Sequence, residues 1–216
     1  MLDNRLLGFI YSLVILLIAV DVHEFSHAWV ANRLGDPTAR YLGRMSLNPI
    51  VHLDLYGALF MLVAVWSGFG LGWGKPVPVN PLNLRGNMRR SMGLVSVAGA
   101  ASNIAVAIIA ALLFRLSQAF GLPAPFLLFL LYATYINIGL AIFNLIPMPP
   151  LDGSKVAVGL LSLFRGRWAY ELSERFMALE SVGFTPLLLL LLVLVYFAGP
   201  ILGRIVGAIA SPLLGL

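Results

Sequence analysis

Long, nearly uninterrupted apolar runs constrain this chain more than any other feature of its sequence. A membrane-spanning helix needs about 20 mostly apolar residues, and three segments qualify, at about 92–115, 125–147 and 183–203. Only 11% of the 216 residues are charged and 60% are hydrophobic, whereas a soluble domain carries about 25% charged residues. The composition therefore predicts an all-α, multi-pass transmembrane helical bundle.

Two further apolar runs need closer inspection before they are counted as spans. The run at about 6–31 crosses the membrane only if it accepts four polar residues, Asp21, His23, Glu24 and His27. It is followed by no convincing small-residue cleavage site, so we expect a retained first helix rather than a signal peptide. The run at 55–71 is marginal in length and is interrupted by three glycines.

The distribution of Lys and Arg distinguishes the two topologies open to residues 55–71, because cytoplasmic loops are enriched in these residues. If the run enters and leaves on one side, 11 basic residues lie on that side and 3 lie opposite. If the run crosses, the better orientation gives only 9 against 5. We therefore expect about four full spans in the cell membrane plus a re-entrant segment, with the basic loops in the cytoplasm.

Charge and composition exclude other classes of protein. The net charge of +5 comes from basic residues in loops that flank the apolar runs, where membrane topology accounts for them, so no nucleic-acid partner is expected. The chain has no cysteine, which excludes disulfides, thiol catalysis and thiolate metal sites. We expect one membrane-embedded domain over 1–216, with a core at about 6–152, an amphipathic surface helix or cytoplasmic linker at 153–181 and a last span at 183–203.

The segment His23-Glu24-Phe25-Ser26-His27 lies inside the first apolar run and is the strongest indication of a functional site in the sequence. Residues i and i+4 share one helix face, so both imidazoles can bind one zinc ion while the glutamate activates a bound water. The alternative is a polar helix end with two hydrogen-bonded histidines. Ionisable side chains within a span are costly and usually face a cavity or the bundle interior, which favours the metal site.

A catalytic zinc usually has three protein ligands and one position for water, so a third ligand must come from outside this segment. The candidates are Asp21, His52, Asp54 and Asp152. Asp21 lies about 200° round the helix from His23 and faces away. Asp152 follows the 125–147 span at the expected cytoplasmic end and is preferred, although a helix N-cap or an Asp-Gly turn is its alternative role. For His52 and Asp54 a structural turn is favoured over hydrogen bonds to metal-bound histidines.

Three motifs occur together in the chain: HEFSH at 23–27, GWGKPVPVNP at 72–81 and NLIPMPPLDG at 144–153. This combination resembles the site-2 protease family, peptidase family M50, of intramembrane zinc metalloproteases. The stretch 21–54 is similar to the compact prokaryotic branch that lacks an appended PDZ domain. The resemblance extends from about residue 15 to 165. It departs at Ala100, where the family's AGPxxN motif has proline.

The resemblance implies a role for each matching residue. His23, His27 and Asp152 would bind one Zn²⁺ per chain, and Glu24 would be the general base. Asn144 would help to hold the substrate or the developing oxyanion, because an amide donor near the metal can stabilise negative charge there. A hydrogen bond between helices is the alternative role for Asn144.

The proline-rich segment 72–81 is predicted to be extended, because proline at every second position removes donors and disfavours helix. An extended strip can hold an unwound substrate by strand addition. The expected substrate contacts are Gly74, Lys75, Pro76 and Val77, together with Asn144. A simple connector is the alternative.

The expected function is cleavage of a transmembrane segment of another protein within the lipid bilayer, with the active site towards the cytoplasmic side. Two other functions use the same residues. One is a membrane zinc transporter or sensor that binds the ion reversibly, and the other is an inactive scaffold that binds client helices. Neither of them needs Glu24 as a base.

Overall fold

A computed structural model describes residues 2–216, apart from the side chains of 2–4 and 184. In this part of the chain there is no β-strand, which confirms the predicted all-α class. The helices are α1 (Leu2–Arg33), α2 (Thr38–Tyr41), α3 (Pro49–His52), α4 (Leu55–Ser67), α5 (Met88–Ala119), α6 (Ala124–Asn144), α7 (Asp152–Leu161), α8 (Arg167–Glu180) and α9 (Phe184–Leu214), with a 3-10 turn at Pro81–Asn83.

Four of the described helices are long and apolar enough to span a membrane, namely α1, α5, α6 and α9. They correspond to the four predicted spans. The last span is longer than predicted, since α9 continues eleven residues beyond 203 to Leu214. The sequence after 203 remains apolar, and the helix passes through Pro200 and Pro212, as transmembrane helices tolerate proline better than soluble ones do.

The four spanning helices pack around small side chains. Ala107 and Ala110 of α5 and Ala210 of α9 are buried in two apolar clusters that also contain Phe114 and Ile138. Without a hydrophobic driving force in lipid, close backbone approach at such small residues is a main source of helix association. The clusters thus hold α1, α5, α6 and α9 in one bundle.

The apolar helix α4 and the segment after it form a re-entrant hairpin. Thirteen residues make a helix of about 20 Å, which is shorter than the bilayer core of about 30 Å. The returning chain runs back along α4, so that a Cβ atom added at Gly72 would lie 2.5 Å from Met61 Cβ, and one at Gly57 would lie 2.0 Å from the Trp73 carbonyl oxygen. The chain then returns to the end of α1, where the Arg85 N–H donates to the Leu34 carbonyl.

The segment predicted as an amphipathic surface helix or linker at 153–181 forms two helices, α7 and α8. Helix α7 packs directly on α5, since a Cβ atom at Gly93 would lie 3.0 Å from Gly159 Cα. The amphipathic character lies in α8, which buries Ala169 and Ser173 and exposes much of its other face. Residues 152–161 thus belong to the bundle. The sequence of this segment does not predict its packing against α5.

Asp36, which directly follows the first helix, joins that helix to the returning strip. Its buried carboxylate accepts hydrogen bonds from the N–H and hydroxyl of Thr38, from the Asn83 side chain at 2.9 Å and from the Asn80 N–H at 2.7 Å. Burial alone would raise the pKa of Asp36, but these hydrogen bonds lower it below its ordinary value of 3.8. The ionised carboxylate is therefore part of the folded structure.

We expect Asp36→Asn to lower the free energy of unfolding by about 1–3 kcal/mol, because the new amide would direct donors at neighbouring donors. Since the folded-state pKa is lowered, the stabilisation is complete above the ordinary pKa and is lost as pH falls through the folded-state pKa. Thermal unfolding in detergent between pH 7 and pH 3 measures both effects. Glu171→Gln, which changes an exposed ion pair with Arg167, is the control. An unchanged melting temperature for Asp36→Asn at pH 7 would contradict the assignment.

Candidate metal centre

Helix α1 presents His23, Glu24 and His27 towards the interior of the bundle. The two histidines are 5% and 8% exposed, and one ligand atom from each of the three residues lies within 4.8 Å of the others. The i, i+4 spacing on a helix brings the imidazoles together, with ring centroids 4.6 Å apart. The predicted HExxH geometry is therefore present in the folded chain.

Hydrogen bonds at Nδ1 orient both imidazoles. His27 Nδ1 lies 2.7 Å from the Val95 carbonyl oxygen, and His23 Nδ1 lies 2.6 Å from Asn103 Oδ1. Carbonyl oxygens only accept hydrogen bonds, so each Nδ1 carries the proton and each Nε2 keeps a lone pair. Asn103 is itself oriented, because its Nδ2 donates to the carbonyl of Ala19 and to Asn137 Oδ1.

Asp152 lies opposite both Nε2 atoms. Its Oδ2 is 2.9 Å from His23 Nε2 and 3.1 Å from His27 Nε2. Zinc bonds of about 2.0–2.2 Å place tetrahedral ligands about 3.3–3.5 Å from one another, so the three atoms are close to the separations that such an ion requires.

Glycine allows the groups of the centre to approach each other. A Cβ atom at Gly99 on α5 would lie 2.5 Å from His23 Nε2 and 2.6 Å from His27 Cε1. At Gly153 a Cβ atom would lie 2.3 Å from the Ile146 carbonyl oxygen, where the chain turns into α7. The first glycine therefore makes room for the imidazoles, and the second lets Asp152 face them.

The extended strip 72–80 lies beside the candidate base. Glu24 Oε2 accepts a hydrogen bond from the Val77 N–H at 2.8 Å. The strip is held at other points by the Lys75 N–H, which donates to the His52 carbonyl at 2.7 Å, and by Arg44, which donates to the Lys75 carbonyl at 2.6 Å. Residues 72–80 contain neither helix nor strand, consistent with the extended backbone predicted from the prolines.

A cavity of about 430 Å³ contains the candidate metal ligands and the base. Gly74, Pro76 and Val77 line it, whereas the Lys75 side chain is exposed and this residue takes part through its backbone. Asn144 lines the same cavity, and its Nδ2 donates to the Leu140 carbonyl at 2.9 Å within its own helix. The structure thus places Asn144 beside the site, without the alternative hydrogen bond between helices.

The other acidic and imidazole groups considered as ligands lie away from Asp152. Asp21 Oδ1 is 3.7 Å from His52 Nε2, which is also 3.0 Å from the Ser46 carbonyl. Asp54 caps α4 by accepting from the Gly57 N–H, and it also accepts from the Trp73 indole N–H at 3.1 Å. Both His52 and Asp54 therefore support the strip and the hairpin, and neither contacts the candidate metal ligands.

The sequence does not predict the roles of several residues that shape the centre, although Gly99 and Asn103 belong to the segment that resembles the AGPxxN motif. Asn103 orients His23, Gly99 makes room for both imidazoles and Arg44 holds the strip. An asparagine inside an apolar span is itself informative, because polar groups are costly there. The identity of its partner, 80 positions earlier in the chain, depends on how α5 packs against α1.

The fold and the site together define a membrane protein with a buried HExxH centre, and comparison with known proteins gives the family. Residues 122–191 match the model of peptidase family M50. A Bacillus subtilis protein named "Putative zinc metalloprotease YwhC" is 39% identical over 157 residues, covering 70% of this chain and 69% of the relative.

Proteins named "Putative zinc metalloprotease Rip2" are also similar to this chain. The one from Mycolicibacterium smegmatis is 31% identical, and the one from Mycobacterium tuberculosis H37Rv is 32% identical, each over 141 residues and 63% of this chain. The match covers 52% of each Rip2 protein, so the chain spans about half of their length. No solved structure matches.

This chain belongs to peptidase family M50, the site-2 protease family. It is a membrane metallopeptidase that acts on peptide bonds and depends on a metal cofactor. The family supports the resemblance drawn from the three sequence motifs.

We expect Gly99→Ala to weaken metal binding at least tenfold, because the new methyl group would displace both imidazoles. Metal content after dialysis against a graded chelator measures the effect. Gly199→Ala on α9 is the matched control, since a Cβ atom there would have no neighbour within 4 Å. Equal metal retention by the two variants would be inconsistent with a centre at His23 and His27.

Asn103→Ala is expected to weaken metal binding 10- to 100-fold, as is typical when a metal-binding histidine loses its orienting partner. The same chelator titration measures this loss. Ser102→Ala, on the same turn of α5, removes only a hydroxyl that donates to the Gly99 carbonyl and should retain the metal. Full metal retention by Asn103→Ala would exclude an orienting role.

Proposed function

We propose that this chain cleaves peptide bonds within transmembrane segments of other proteins, using one Zn²⁺ held by His23, His27 and Asp152. The observation that carries the proposal is the convergence of Asp152 with two histidines that lie inside a spanning helix. His23 lies ten residues before the end of α1 at Arg33, which corresponds to about 15 Å along the helix. Such a depth suits a substrate within the bilayer.

The chemistry follows from the arrangement of the side chains. Zinc bound at the three ligands would lower the pKa of its water to about 7 and polarise the scissile carbonyl. The Val77 N–H holds one oxygen of Glu24 at 2.8 Å, which leaves the other oxygen to take the proton from the attacking water. Glu24 then returns this proton to the leaving amine.

The strip at 72–80 would hold the substrate. A peptide bond inside a helix cannot be attacked until the helix unwinds, and an extended neighbour stabilises the unwound chain by strand addition. Gly74, Pro76 and Val77 line the cavity of the candidate centre, so a strand placed along them passes the metal ligands. Asn144 faces the same cavity and would donate to the developing oxyanion once its amide leaves the Leu140 carbonyl.

The proposed active site faces the cytoplasmic side of the membrane. The segments that follow α1 and α6 contain several of the basic residues, at 40 and 44 after α1 and at 155, 165, 167 and 175 after α6, which favours this orientation. The re-entrant hairpin and the open cavity beside it supply a route by which water can reach buried ligands. Non-helical backbone at this depth is tolerated where it lines such a cavity.

Glu24→Gln is expected to abolish cleavage of a model transmembrane substrate while one zinc per chain is retained. The glutamine carbonyl can still accept from Val77, so the strip stays in place, but the side chain cannot take a proton. Zinc analysis and cleavage in detergent measure the two properties on the same sample. Asp152→Asn is the companion variant and should lose zinc together with activity.

Each contrary result contradicts a different part of the proposal. Cleavage by Glu24→Gln at the wild-type rate would show that the residue is not the base. Retention of zinc and activity by Asp152→Asn would exclude this carboxylate as the third ligand. If wild-type protein binds zinc but cuts only soluble peptides, the transmembrane substrate class is wrong.

A further inference from the structure

A second, smaller cavity adjoins the catalytic cavity, and we propose that it is a specificity subsite for one large apolar side chain of the substrate. This inference rests on the proposed function, because it assigns a substrate position to a surface beside the same centre. The cavity lies between α5, α7 and α8, next to the end of the strip at Pro81.

The size and lining of this cavity suit a Leu, Met or Phe side chain. It measures about 180 Å³, and an apolar cavity of about 150 Å³ is sufficient for benzene. Apolar side chains form most of its wall, and three of them are methionines, which adapt to ligands of different shape. These apolar lining residues are Met88, Met92, Val158, Phe176 and Met177.

The two cavities are adjacent and share part of their wall. Met92, Lys155 and Glu180 line both of them, and an ion pair of 3.5 Å joins Lys155 Nζ to Glu180 Oε1 at this border. The strip connects them as well, since its residues up to Val79 line the catalytic cavity and Pro81 lines the smaller one. A strand that follows the strip past Glu24 is therefore led into the apolar cavity.

The strip also indicates which substrate position reaches the cavity. Pro81 lies four positions after Val77, which bonds to Glu24. At about 3.3 Å per residue this distance is about 13 Å, so the side chain in the cavity belongs to a substrate residue about four positions from the scissile bond. Only one side of the scissile bond can supply it, because the cavity lies at one end of the strip.

Charge at the rim favours an apolar occupant over an acidic or basic one. Both cations that line the cavity are paired, Arg89 with Glu174 at 2.7 Å and Lys155 with Glu180 at 3.5 Å. A charged substrate side chain would have to enter an apolar space without a free partner, which is costly. The position beside the catalytic cavity, along the same strip, favours a substrate side chain over a lipid acyl chain.

The test compares cleavage of transmembrane substrates that differ at one position. Ala, Leu, Phe and Asp are placed in turn at the fourth residue before and the fourth residue after the scissile bond. On one side of the scissile bond only, we expect kcat/KM for the Leu and Phe substrates to exceed that for the Ala substrate about tenfold, which is the range that an apolar pocket provides. The Asp substrate should be cleaved less efficiently than the Ala substrate. The opposite side should show no such order.

A cavity-filling variant tests whether the preference comes from this subsite or from the general hydrophobicity of the substrate. Met177→Trp should remove the preference for Leu over Ala at the selective position. Leu179→Trp is the matched control, because Leu179 lies on the same helix, is 46% exposed and is not among the residues that line the cavity. This control should keep the wild-type preference.

Photocrosslinking gives a reading that does not depend on turnover. A substrate with a diazirine analogue of leucine at the selective position is irradiated with Glu24→Gln protein, and adducts are expected at Met88, Met92 or Met177. Cleavage without preference at either fourth position, or a Leu preference that survives Met177→Trp, would overturn the subsite alone. Adducts of the labelled substrate to lipid instead of to these methionines would also overturn it. Absence of cleavage of every substrate would overturn the proposed function and the subsite with it.

Discussion

Polar groups inside the apolar layer must form their hydrogen bonds within the protein, and the Asn103 side chain forms several of these bonds. From α5 it reaches the Ala19 carbonyl and His23 on α1 and Asn137 on α6. Asn137 in turn donates to the Ala133 carbonyl. In the hydrocarbon layer an unpaired polar group costs several kcal/mol, so this network fixes three helices relative to one another and sets the orientation of His23.

The same arrangement requires that backbones come close to the reactive side chains. Gly99 faces both imidazoles on one side, and Gly153 turns Asp152 towards them on the other. Gly93 and Gly159 allow α5 and α7 to pack in close contact. This contact places Asp152, at the start of α7, next to the helix bundle. Small residues therefore make a compact polar centre possible within packed helices.

The sequence predicts the chemical groups of this centre better than the contacts that hold them. The i, i+4 spacing of His23 and His27 follows from helix geometry alone, and proline at alternate positions is sufficient to predict the extended strip. The partners of those histidines depend on the rotation of α5 about its axis, which a run of Ala, Gly and Val leaves undetermined. Asp36 is a comparable case, since a single aspartate after a helix does not reveal that it binds a strip more than 40 residues later.

The extended strip is asymmetric in what it can offer a substrate. Three of its N–H groups already donate within the protein, from Lys75 to His52, from Val77 to Glu24 and from Asn80 to Asp36. Its prolines, at 76 and 78, have no N–H to donate, and the carbonyls of Lys75 and Pro76 already accept hydrogen bonds from Arg44. In the proposed reaction an unwound substrate would therefore be held by the backbone groups of the remaining strip residues. Because proline also blunts the edge against pairing with other strands, the strip can stay extended inside a cavity without a permanent partner.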